Sequence, residues 1–198
     1  QAVEREMAPN LAAFSDQITQ NPQRCERISK VYDTRTTSGL TPEQQRLTWV
    51  YYTNFVRAGA KLDGAAKKRM SEINQELAKL FTQFGQNVLK DENDGVIFID
   101  KESDLAGLPQ GVRDGMAQGA EGRGQKGKWA IANTRSSVEP FLTYADNRAL
   151  REQAWRMFVN RGDNGGATDN NATISQILQL RAERAKLLGF PTHAHWRL

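Results

Sequence analysis

The chain is poor in the residues that most often carry chemistry. Its 198 residues include one cysteine, Cys25, and two histidines, His193 and His195. A lone thiol forms no internal disulfide, so the fold does not depend on an oxidising compartment; this fits cytoplasm without excluding periplasm. Long hydrophobic runs are also missing. Stretches such as Val96-Ile97-Phe98-Ile99 are far too short to span a bilayer, so neither a transmembrane helix nor a membrane partner is expected. The opening Gln1-Ala2-Val3-Glu4-Arg5-Glu6 has no initiator methionine and no charged-then-apolar signal pattern, so the start of the protein is expected to lie upstream.

What is present suffices for a folded core: 38% hydrophobic residues, with four Trp and eight Phe, over a length that allows one good-sized domain or two small ones. The net charge of +4 would allow a polyanion partner, but the basic residues are dispersed and Lys67-Lys68-Arg69 is the only tight cluster. On a helix such a cluster reads as a solvated face, so no nucleic-acid partner is expected.

Apolar spacing is mostly helical. Val3, Met7, Leu11, Phe14 and Ile18 make one stripe, which Pro9 should kink or shorten. Asn21-Pro22 opens a short helix with Ile28, Val31 and Tyr32 inward, and Thr41-Pro42-Glu43-Gln44 is a capping box opening another, carrying Leu47, Tyr51 and Phe55 and ending by Gly59. The longest periodic stretch runs from Asp63 to about Lys90, with Met70, Ile73, Leu77, Leu80, Phe81, Phe84 and Val88 on one side. The period then changes. Val96–Ile99 reads as a strand, with Lys128–Ala132 as its antiparallel partner, a helix from Pro109 to about Gln118 between them, and a glycine-rich loop from Gly119 to Gly127. Helices resume around Pro140–Ala145 and after Asn147, the latter with Leu150, Ala154, Met157 and Phe158 inward. Arg161–Gly166 reads as an exposed loop. Asn171 caps a last full helix, with Ile174, Ile177, Leu178, Ala185 and Leu188 inward, which Gly189 ends. The predicted architecture is mainly α: a multi-helix antiparallel stack with a small two-stranded antiparallel β element.

No motif in the chain assembles a catalytic site. Gly122–Lys128 matches a phosphate-binding loop up to its lysine, but Trp129 replaces the Ser or Thr that must reach magnesium, and the segment leads into a strand. Asp91, Asn93 and Glu102 fall at calcium-loop positions, yet Gly95 is one place early and a β run follows. Arg161-Gly162-Asp163 is a chance tripeptide at a helix stop, and Asn171-Ala172-Thr173 is explained by a helix cap. Cys25 reads as a buried structural residue, and Glu72, Glu76, Glu139 and Glu152 as members of solvated faces. His193 and His195 are two apart; on the helix that Gly189-Phe190-Pro191-Thr192 predicts, they lie about 200° apart around the axis and cannot share one ion. No catalytic, cofactor-binding or metal-ligating residue is assigned within the chain.

Several stretches together resemble the M3 zinc metallopeptidases, the group of peptidyl-dipeptidases and oligopeptidase A. They are Phe55–Leu62, Ile73–Leu80, Phe84–Leu89, Leu105–Pro109, Leu142–Arg148 with Leu150–Glu152, and Leu180–Phe190, the last, with Pro191 and Trp196, resembling the peptidyl-dipeptidase branch. The resemblance implies a neurolysin-like helical fold in which residues 1–198 are the N-terminal-side region, with a hairpin-like insertion around 95–132. It also implies a parent enzyme that hydrolyses short peptides with zinc held by His-Glu-x-x-His and a later glutamate. This chain contains no His-Glu-x-x-His. The expectation is therefore a fragment forming one wall of the substrate channel, inactive and without zinc by itself, whose partners are short peptides and a missing C-terminal catalytic half. Apolar stripes left uncovered would make it self-associate. The alternative is a stand-alone helical binding module using its basic surface.

Overall fold

Helix ends follow the capping chemistry written in the sequence. In the computed structural model, which describes residues 1–198, the Thr41 hydroxyl accepts the Gln44 amide while the Gln44 side chain accepts the Thr41 amide, so α3 (Pro42–Arg57) starts with a full capping box. Asn21 caps α2 (Pro22–Asp33) by accepting the Arg24 amide at 3.0 Å. The remaining elements in chain order are α1 (Ala2–Thr19), preceding these, then α4 (Gly64–Asp94), β1 (Val96–Ile99), a 3₁₀ turn (Glu102–Leu105), α5 (Gln110–Glu121), β2 (Trp129–Ala132), α6 (Arg135–Tyr144), α7 (Arg148–Val159), α8 (Asn171–Leu187) and α9 (His193–Arg197). The mainly α architecture with one two-stranded antiparallel sheet is the predicted one. The chain divides into two compact units: residues 1–83 with 173–198, and residues 84–172.

In the first unit, Ile73, Leu77 and Leu80 of α4 form a buried cluster with Ile177 of α8, lined by Leu180 and Leu187. The α2 and α3 helices are joined by a stack in which the Tyr32 and Tyr52 rings lie 3.9 Å apart and nearly parallel, with Arg35 over Tyr32 and Lys61 over Tyr52. Several predicted inward positions are outward. Val3, Met7, Leu11 and Phe14 are 71%, 41%, 60% and 59% exposed. The helix forms, but the face it buries carries Asp16, about 200° around from Phe14. Val31, Leu47, Tyr51, Phe81, Ile174 and Leu178 are exposed as well. Pro9 neither breaks α1 nor moves its start. Cys25 is half-buried rather than buried.

In the second unit, β1 pairs with β2 in the register Val96 with Ala132 through Ile99 with Trp129. The α5 and α6 helices pack against β2, and α7 packs against α6. Ile99, Leu105, Leu108, Met116, Ile131, Val138, Phe141, Ala145 and Ala154 make one buried core. That core explains why α6 begins at Arg135 rather than near Pro140. Pro140 lies inside the helix and forfeits one backbone hydrogen bond, while complete burial of Val138 and Phe141 offsets the loss. Likewise Asn171 is the first residue of α8 rather than its cap, because the Asp169 carboxylate accepts the Asn171 amide at 2.9 Å. Phe84, predicted inward, is 37% exposed.

Candidate functional site

The two histidines lie on α9, a five-residue helix. The Thr192 hydroxyl accepts the His195 amide and sits 2.7 Å from His195 Nδ1, while the His193 ring packs 5.4 Å from the Trp196 ring. The imidazoles have separate surroundings. Across the chain, no three or more His, Cys, Asp or Glu side chains are grouped so as to hold a metal ion. The residues present therefore do not fit the zinc centre that the family resemblance implies.

What the C-terminal region does assemble is positive charge. Around the Trp196 indole lie the guanidinium of Arg184 at 4.5 Å, that of Arg197 at 5.4 Å and the His193 ring; Arg181 lies over Phe81 at 5.0 Å. Trp196 is fixed by its indole N–H, which donates to the Arg57 carbonyl at 3.1 Å. Arg184 Nη1 donates to Asn74 Oδ1, and Asn74 Nδ2 donates to Asp16 Oδ1. Burial pushes the Asp16 carboxyl above the usual range, with Asn74 and Ser71 hydrogen bonds opposing. Burial, then repulsion from Arg181, Arg184 and Arg197, holds His193 below the ordinary histidine value. Burial and the same kind of repulsion lower Arg184. Arg181 Nε, Arg184 Nε and His193 Nδ1 are buried without a hydrogen-bond partner. This cluster was missed in the sequence because its members lie among ordinary helical residues. The spacing of Arg181 and Arg184, which shares a helix face, was the available signal.

The second unit holds a polar hub of a different kind. Asp91 Oδ2 accepts the Gly162 amide at 2.7 Å and Asn164 Nδ2 at 2.9 Å, and Oδ1 accepts the Thr168 hydroxyl. Arg161 pairs with Glu92. Asn170, 1% exposed, donates to the Phe84 carbonyl and accepts from Asn87. Every group here is answered by another group of the chain, and Asp91 ties down residues 162–168. Of the loop predicted to be exposed, Gly162 is buried and Arg161 half-buried, so Arg161-Gly162-Asp163 is not presented as a free tripeptide.

Two of the surface grooves each lie within a single unit. One of about 300 Å³ lies between α2 and α3, lined by Arg27, Ile28, Val31, Leu47, Thr48 and Tyr51. The other, about 390 Å³, follows Gly111, Gly115 and Gly119 of α5 toward Ala130, Ser136 and Arg123.

Two pairs of the stretches that resemble a known family meet in space, one pair in each unit. Asn74 of the 73–80 stretch holds Arg184 of the 180–190 stretch, and their apolar residues share one cluster. Gly107 lies against Tyr144 and Asp146; the Asp146 amide donates to the Ala106 carbonyl, and Asn147 donates to Asp104 while capping α7. The sequence profile described as peptidase family M3 matches residues 141–198. All 198 residues align with the dipeptidyl carboxypeptidase of Escherichia coli K12 at 31% identity. The chain belongs to peptidase family M3. Among other relatives, the oligopeptidase A of Haemophilus influenzae is 38% identical over 149 residues, covering 73% of this chain and 22% of its own length. The organellar oligopeptidase A of Arabidopsis thaliana is 31% identical over 195 residues, covering 96% of this chain and 24% of its own length. The chain spans 29% of the length of the Escherichia coli relative. No helix is long and apolar enough to cross a membrane.

Proposed function

We propose that these residues are the helical N-terminal-side part of a zinc peptidase that cleaves short peptides, releasing C-terminal dipeptides, and that they form one wall of its substrate channel. The observation carrying this is the alignment of the whole chain with a dipeptidyl carboxypeptidase. The absence of any grouped metal ligands supports assigning the zinc and the general base to residues outside 1–198. On this reading the chain contributes shape: packed helices that admit an extended peptide and exclude folded proteins. The single half-buried thiol supports a cytoplasmic setting.

The test is product mapping by mass spectrometry with the protein encoded by the complete reading frame and N-terminally blocked oligopeptides. Successive loss of C-terminal dipeptides, abolished by a chelator, is the expected result. Internal cleavage alone would move the protein to the oligopeptidase branch, and chelator-insensitive or absent cleavage would overturn the proposal.

A further inference from the structure

The α8–α9 cluster carries more positive charge than its surroundings balance. Arg181, Arg184 and Arg197 are set against Asp16, whose bond goes to Asn74 rather than directly to an arginine. Glu183, the acidic neighbour on α8, is committed elsewhere, bonded to Arg69 at 2.6 and 2.7 Å. Two buried N–H groups, Arg181 Nε and Arg184 Nε, have no acceptor, and the buried His193 Nδ1 has no hydrogen-bond partner. Each such donor costs about 1–3 kcal/mol when left unmade. Packing gains retain them here: Arg184 and Arg197 lie on the Trp196 ring and Arg181 on the Phe81 ring.

We propose that Arg181, Arg184 and His193, with Arg197 beside Trp196, form a binding site for a carboxylate carried on an apolar stem, such as the C-terminus or an acidic side chain of a peptide. A carboxylate accepts from two guanidinium N–H groups in plane, which a neutral carbonyl does less strongly and water without charge. The two flanking rings supply apolar surface for the stem, an arrangement that suits a carbon-borne acid better than a strongly hydrated inorganic anion. Burial, and after it repulsion among the cations, lowers His193 and Arg184, and the repulsive part is relieved when a negative charge arrives. The naming of a peptide as carrier rests on the peptidase reading above; the carboxylate site does not.

The experiment is an NMR titration of the 198-residue chain, following the Trp196 indole and arginine Nε–H signals. The probes are glutarate, N-acetyl-Ala-Phe as the free acid, the same dipeptide as its C-terminal amide, N-acetyl-Glu amide, and inorganic phosphate. Saturable shifts with glutarate and the acidic peptides, none with the Ala-Phe amide, and about tenfold weaker binding in Arg181→Gln are expected. Arg197→Gln, at an exposed position, should weaken binding several-fold with the fold intact, and Arg181→Lys should restore part of the loss. The free acid against N-acetyl-Glu amide distinguishes a terminal from a side-chain carboxylate, and either supports the site. Glutarate binding without peptide binding would uphold the site and count against the peptide carrier. Equal shifts from acid and amide, tighter binding of phosphate than of any carboxylate, or no shift from any probe would overturn the proposal.

Discussion

The two units of this chain solve the problem of burial differently. Residues 84–172 enclose a continuous core in which Phe141, Val138, Ile131 and Leu105 are sealed by the sheet, α5 and α6. Residues 1–83 with 173–198 bury mainly a narrow strip between α4 and α8, and leave Val3, Leu11, Phe14, Leu47 and Tyr51 more than half exposed. The same helical periodicity therefore means different things in the two regions. In the second unit it marks a core; in the first, outside α4 and α8, it marks faces that their own unit does not cover. Uncovered apolar faces of this extent are characteristic of contact surfaces.

The strongest way to break the comparison is at Gly107. Its φ is +84°, and a Cβ there would lie 2.2 Å from the Tyr144 carbonyl oxygen. Gly107→Ala should cost about 3 kcal/mol or more and abolish the urea transition of the second unit. Core truncation comes next. Phe141→Ala should lower stability by about 3–5 kcal/mol and Leu77→Ala by about 2–5 kcal/mol in chemical denaturation, whereas Leu11→Ala should cost less than about 0.5 kcal/mol. Leu11→Ala should instead reduce self-association seen by light scattering. A strictly monomeric wild-type chain at all concentrations would contradict the reading of α1 as a contact face.

Smaller effects sharpen the picture at the polar clusters. Asp91→Ala strands the Gly162 amide and the Thr168 hydroxyl. It should cost about 2 kcal/mol and speed hydrogen exchange selectively over residues 162–168. The smallest effect concerns His193. Its folded pKa is depressed, so the unfolded chain binds more protons and stability falls as pH drops below the unfolded value of about 6.5. The loss levels off once pH passes below the folded pKa. His193→Gln should flatten this part of the melting-temperature profile, and a His193 midpoint at or above the ordinary value, read by NMR, would remove the effect.

Local chemistry made much of this fold legible. The Thr41 and Asn21 caps, the Val96–Ile99 strand with its partner, and the stops at Gly59 and Gly189 are decided by neighbouring residues, and both glycines have positive φ. Decisions made by distant residues were not legible. The start of α6 depends on Phe141 and Val138 reaching a core built from other elements, and Asn171 lies inside α8 because Asp169 takes over the capping role. The burial of α1 followed Asp16 because Asn74 waits for it on α4. At the candidate site, the separate surroundings of His193 and His195 follow from helical geometry, but the convergence of Arg181, Arg184 and Arg197 with Trp196 requires α9 to fold back on α3, which no local pattern encodes.

The central proposal is that this M3 chain contributes shape and recognition to a peptidase whose hydrolytic centre lies outside residues 1–198. Incubating the 198-residue chain with zinc and blocked oligopeptides, and reading the products by mass spectrometry, tests it most directly. Intact peptides after prolonged incubation are the predicted result; robust, chelator-sensitive turnover would contradict the account.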